Sequence, residues 1–108
     1  MRRPRSDRQL RRWYRLYNRK YFRGKLPSSI FIVYETVERA YGDCWVTPEG
    51  WFRIRVNPDL CVGRSARRFT LMHEMVHVDL WGVNDRHGPI FDAQMLRLAA
   101  AGAMKGLW

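Results

Sequence analysis

His73-Glu74-Met75-Val76-His77 sets two imidazoles and a carboxylate at the spacing that metal-assisted hydrolysis requires. On a helix, residues i and i+4 lie about 40° apart and one turn along, so both imidazoles can reach one ion. Glu74 is about 100° round from His73, near enough to touch a water on that ion without ligating it. A catalytic zinc takes three protein ligands and leaves its fourth position to water. The ion lowers the pKa of that water to ~7 and polarises the attacked carbonyl, while Glu74 receives the proton as general base. A chance match would leave two surface histidines and a solvated glutamate. Here Phe69, Met72, Val76 and Leu80 form a separate apolar stripe for the core, which leaves the histidines for a site.

The third ligand must come from elsewhere in the chain. Only one histidine remains, His87, ten positions past His77. Gly82 should stop the helix, and the short loop Val83–Arg86 can swing His87 back towards the metal. Asp79, Asp85 and Asp92 are the competitors. The longer motif with a third histidine six residues on would need it at Val83, so His87 is the expected ligand. Cys44 and Cys61 belong to no C-x-x-C pair, which excludes a zinc ribbon; they read as reduced, buried thiols of a cytosolic chain.

The elements that must position these residues are readable from periodicity and caps. Ser6-Asp7-Arg8-Gln9 fits a capping box with Ser6 as N-cap, opening a helix to about Arg23 with Gly24 as its stop. Leu10, Trp13, Tyr14, Tyr17 and Tyr21 share one arc of it, and Arg8, Arg11, Arg12, Arg15, Arg19 and Arg23 the opposite arc. Residues 25–29 read as a linker and Ile30–Tyr34 as a strand. Tyr41–Val46 and Trp51–Val56 flank Thr47-Pro48-Glu49-Gly50, a four-residue hairpin loop. In the second arm Phe52, Ile54 and Val56 alternate with Trp51, Arg53, Arg55 and Asn57, the pattern of a half-buried strand. Ser65 can cap a second helix reaching about Trp81, and Pro89 suits the first turn of a third, through about Ala101. The order is helix, three strands, helix, loop, helix: an α+β domain. Trp45 and Trp51 could line a cleft or pack, and either Tyr34 or Tyr41 could donate to an oxyanion.

The 108 residues suit one domain, with no run of about 18 apolar residues to span a membrane. The net charge of +10 is localised: residues 1–25 hold eleven of the 20 Lys/Arg against a single acid, Asp7, and the remainder is neutral. Like charges at i, i+4 with no acid to relieve them disfavour the helix slightly, which points the arginine face towards an anionic partner. Nucleic acid is the expected partner, through Arg8, Arg11, Arg12, Arg15, Arg19 and Arg23. A membrane surface fits less well, because the opposite face is core material.

His73-Glu74-Met75-Val76-His77 followed by His87-Gly88-Pro89-Ile90-Phe91 resembles the SprT-like zinc metallopeptidases. Leu16–Phe22 with Gly24-Lys25-Leu26 resembles that family's opening helix and its exit; Tyr41–Cys44 and Arg53–Val56 resemble its hairpin strands. The resemblance covers nearly the whole chain. It implies a minimal zincin-like domain over residues 6–108, preceded by a basic arm over 1–5. It also implies one zinc per chain on His73, His77 and His87, with Glu74 catalytic, and cleavage of DNA-bound or DNA-crosslinked proteins. Family members often carry a further zinc- or DNA-binding segment after the protease core, a role the arginine helix would have to take here. The expectation is therefore a monomeric zinc endopeptidase of the cytoplasm, at the nucleoid if DNA is its partner. A zinc-stabilised DNA-binding module and a repressor-cleaving metalloprotease are the alternatives. Glu74 separates the first of these, since a structural site needs no general base and is closed by a fourth protein ligand.

Overall fold

A computed structural model of the chain describes residues 5–83 and 87–106. The expected basic arm over 1–5 lies, apart from Arg5, outside the described residues, as does the candidate ligand Asp85. The elements follow in the order α1 (Arg8–Tyr21), β1 (Ile30–Tyr34), β2 (Gly42–Val46), β3 (Phe52–Val56), α2 (Arg64–Asp79) and α3 (Pro89–Ala100). This is a small α+β architecture. No helix among the described residues is long and apolar enough to cross a membrane.

The sheet runs β1-β3-β2, with β1 parallel and β2 antiparallel to the central β3. The hairpin loop closes as expected: Thr47 N–H donates to Trp51 O (2.7 Å), and Thr47 Oγ1 accepts from Trp51 N–H (3.0 Å). Period-two alternation gives the sheet two unlike faces. Ile30, Ile32, Ile54 and Val56 join the helices in one core with Leu10, Tyr14, Tyr17, Leu71, Met72, Met75, Val76 and Leu98. On the other face Arg55 chelates Asp43, its direct cross-strand partner, and also reaches Glu35 (3.0 Å). Arg53 bonds Glu35 (2.6 Å) and lies over the Trp45 ring at 4.6 Å. Trp45 is thus a packing residue of this arginine layer.

Several local expectations are corrected. Asp7, not Ser6, caps α1, accepting from Leu10 N–H (3.0 Å). Ser6 Oγ instead accepts from Ile32 N–H (2.9 Å), which staples the start of the helix to β1. The helix ends at Tyr21, two residues early, because Arg23 (φ +55°) and Gly24 (φ +70°) both turn left-handed and Gly24 N–H returns to Asn18 O. The linker is anchored: Asn18 brackets Leu26 through both its amide groups, and Leu26 is buried. Gly63 rather than Ser65 precedes the second helix, with no side-chain cap. Asn57, read as an outward strand residue, is buried, and its amide donates to Val37 O (2.9 Å) and Ala40 O (3.0 Å).

Candidate metal centre and cleft

Helix α2 lies against β2, β3, α1 and α3, and its faces have different tasks. Leu71, Met72, Met75, Val76 and Val78 are buried in the core. His73 and His77, half-buried, project together from the neighbouring stripe, as i and i+4 must. The chain then turns at Gly82 (φ +92°) and returns with His87 at φ +55°. His87 Nε2 comes within 3.1 Å of both His73 Nε2 and His77 Nε2. Nitrogen ligands ~2.0–2.1 Å from one tetrahedral zinc would stand about 3.3 Å apart, so the spacing fits a shared ion. These three side chains form the group that could hold a metal among the described residues. Asp79 is turned away, accepting from Gln94 Nε2 (2.7 Å), and Asp92 is exposed in the first turn of α3.

The chemistry of the donors agrees with that geometry. Burial, helped by the neighbouring His77 and His87, lowers the His73 pKa to about 4, which keeps it in the neutral form that ligates metals. Phe91, presented two residues after the Pro89 that opens α3, packs against all three imidazoles at centroid distances of 4.9, 4.6 and 4.9 Å. It gives the cluster an apolar floor that contributes no competing donor or acceptor.

Glu74 lies on the side of α2 that faces β2 and is buried. Its pKa is pushed up to about 8, by burial first and by the Asp43 charge second. Gly42 lets β2 approach β3 and α2 closely beside it. A Cβ at position 42 would stand 2.5 Å from Arg55 O, 2.9 Å from Thr70 Cγ2 and 3.5 Å from Glu74 Oε2. Two clefts meet here, sharing Gly42, His73, Glu74 and His87 among their walls.

Four participants escaped the sequence reading. Phe69, assigned to the core, is instead exposed and lines the larger cleft beside His73. Trp81 lines the smaller one and stands edge-on to Phe52 at 5.5 Å. Gly42 and Phe91 appeared only as letters in longer strings; a glycine opening a strand that faces a helix was the available signal for the first. Of the two tyrosines, Tyr41 reaches the cleft, whereas Tyr34 lies under the Arg67 guanidinium. Cys61 is buried and Cys44 half-buried, both as free thiols.

The arginine row is partly as expected. Arg8, Arg12, Arg15 and Arg19 are exposed and border a groove of about 570 Å³ with Leu16. Arg11 also lines it but is half-buried, donating to Ile30 O (3.1 Å), and Arg23 falls beyond the end of the helix. The profile of the SprT-like family matches residues 10–106, a span that contains α1 from Leu10 onward, the sheet, His73, Glu74, His77 and His87. The chain belongs to the SprT-like family.

Proposed function

We propose that this chain is a zinc-dependent endopeptidase with a zincin-like fold, acting on proteins held on DNA. The observation that carries the reading is the meeting of three imidazole nitrogens and one buried carboxyl group where two clefts join. His73, His77 and His87 would hold the ion, one per chain. When bound, zinc supplies Lewis acidity, which polarises a peptide carbonyl and makes water nucleophilic near neutral pH. Glu74 takes the proton of the attacking water on a carboxylate oxygen and can pass it to the departing amine nitrogen. Burial and the Asp43 charge make that oxygen a stronger base than an exposed carboxylate.

The DNA part of the reading rests on α1. Four exposed arginines along one groove suit a phosphate backbone, which is bound without reading sequence. Localisation follows from this partner: the cytoplasm, at the nucleoid.

Replacing Glu74 by Gln tests the core of the proposal. The variant should keep its zinc and its melting temperature while cleavage of a DNA-bound protein falls by about 10²–10⁴-fold, the usual worth of a positioned base. Turnover at the wild-type rate would dismiss Glu74 as the base. A zinc-loaded wild type that cleaves no protein at all would replace the peptidase with a zinc-stabilised DNA-binding module. Cleavage confined to one repressor would identify a dedicated protease.

A further inference from the structure

The two clefts diverge along α2 from their shared walls. The smaller, about 210 Å³, follows the helix towards its C-terminus and is bordered by Cys44, His77 and Trp81. The larger, about 740 Å³, follows it towards the N-terminus, between Tyr41, Val62, Ala66 and Phe69. Apart from Glu74 and the imidazoles, the described residues lining the larger cleft carry no ionisable group except the Tyr41 phenol.

Its walls are also unusual in what they leave in water. Tyr41 is 62% exposed, Val62 77% and Phe69 37%, from three separate segments that converge on one space. The backbone carrying these side chains is pinned. Tyr41 O accepts from Asn57 N–H (2.8 Å) and from the Cys61 thiol (3.3 Å). The Asn57 amide holds Ala40 O (3.0 Å), and Cys61 Sγ lies 3.2 Å from Thr70 Oγ1 on α2. So the wall is set by buried and part-buried hydrogen bonds before any ligand arrives, although its apolar groups gain nothing from the core.

We propose that this cleft is the specificity subsite of the peptidase reaction, taking a large apolar side chain (Phe, Tyr, Leu or Met) beside the scissile bond of an extended peptide. The inference rests on the peptidase reading above. An apolar side chain entering the cleft removes its own surface and that of Tyr41, Val62 and Phe69 from water together. A lysine or aspartate side chain would lose hydration there with no partner of opposite charge positioned to replace it, Glu74 being occupied with the reacting atoms. Large apolar residues are mostly buried in folded proteins. The subsite would therefore select protein segments that have lost their packing, which defines the substrate class as locally unfolded polypeptide.

The test uses the full zinc-loaded chain and capped peptides Ala-Ala-Xaa-Ala-Ala, with Xaa Phe, Leu, Lys or Asp. Binding is followed by amide NMR shifts in the Glu74→Gln background, and cleavage in the wild type. Phe and Leu peptides should bind at least about tenfold tighter than Lys and Asp peptides, within the range that hydrophobic pockets deliver. They should move the amides of Val62, Ala66 and Phe69, and cleavage should follow the same ranking. Val62→Asp, at a largely solvated position, should reduce the Phe preference about tenfold and improve the Lys peptide. Phe69→Ser gives an independent second variant should the first fold poorly. Equal binding of all four peptides, shifts confined to other amides, or a ranking unmoved in both variants would overturn the inference. Unselective cleavage would overturn it while sparing the peptidase reading. Selective binding without cleavage would do the reverse, keeping the apolar recognition and removing the peptidase.

Discussion

Gly42→Ala probes the point where the fold and the candidate chemistry touch. The added methyl would lie 2.5 Å from Arg55 O and 2.9 Å from Thr70 Cγ2. Carbon contacts are comfortable at about 3.5–4.0 Å, so roughly 1 Å of separation is missing on two sides. Neither neighbour can yield cheaply. Arg55 O belongs to the central strand, and Thr70 is buried on α2 beside Cys61 Sγ. Relief must come from moving β2 away from α2, and overpacking of this kind costs about 1–3 kcal/mol. For a domain of this size each kcal/mol lowers Tm by about 4–8 °C, so a drop of about 5–20 °C is expected by circular dichroism. Gly50→Ala is the control, because nothing stands within 4 Å of its Cβ and only the left-handed backbone (φ +87°) is penalised. Cleavage should fall more than zinc content in Gly42→Ala, since Glu74 Oε2 is 3.5 Å from the new methyl while the imidazoles are not among its nearest neighbours. A Tm within a degree of wild type, with cleavage intact, would refute the close packing of β2 on α2 and with it the placement of Glu74.

His87→Ala should weaken zinc binding at least about 100-fold, the upper end of what mere outer-shell changes cost, as read by competition with a chelator; undiminished affinity would move the third ligand to a carboxylate. Duplex DNA binding should weaken with salt at about −0.9 in log K per phosphate engaged, so the four exposed arginines set a limit near −3.6. Replacing Arg12, Arg15 and Arg19 together by Gln should flatten that slope by up to about 2.7, and an unchanged slope would reduce the row to a solubilising surface. The Cys44 thiol, pushed up to about 12 by burial first and then by Glu74 and Asp43, should alkylate near pH 8 about 1,000-fold more slowly in the native chain than after unfolding. Equal rates would show that the strand is open to solvent there.

What could be read from the letters was whatever depends on near neighbours in the chain. The i, i+4 histidines, the hairpin around Pro48 and Gly50 and the alternation of Phe52, Ile54 and Val56 are short-range patterns, and each is present in the fold. Phe69 shows where such patterns stop deciding. On a helical wheel it lies about 20° from Val76 on one side and about 40° from His73 on the other, so it sits between the core stripe and the histidine stripe and its angle alone does not assign it. Only the course of residues 40–42 and 62, fixed by Asn57 and Cys61 from another part of the chain, turns that boundary into a cleft. The same holds for the helix start. Ser6 and Asp7 are both good caps, and the choice falls to Asp7 because Ile32 N–H takes the serine oxygen. Likewise, six arginines on one arc became four on the exposed face of the helix once Ile30 O engaged Arg11 and the helix ended before Arg23, which is exposed beyond it.

The third candidate ligand also has a conformational cost that the first two do not. His73 and His77 are placed by α2, none of whose residues has a left-handed backbone. His87 sits at φ +55°, a left-handed conformation that costs a residue with a Cβ roughly 1–2 kcal/mol. Two features favour keeping it there. Pro89 fixes the start of α3 two residues after His87, and Phe91 packs its ring against the whole cluster, so the docking of α3 and the position of His87 are a single arrangement. A ligand that binds only the folded chain stabilises it by about 4.1 kcal/mol at 1,000 times its dissociation constant, which exceeds the cost of the strained residue. A metal on these three imidazoles would therefore lock the return of the chain onto α2, and with it the shared end of both clefts where Glu74 waits.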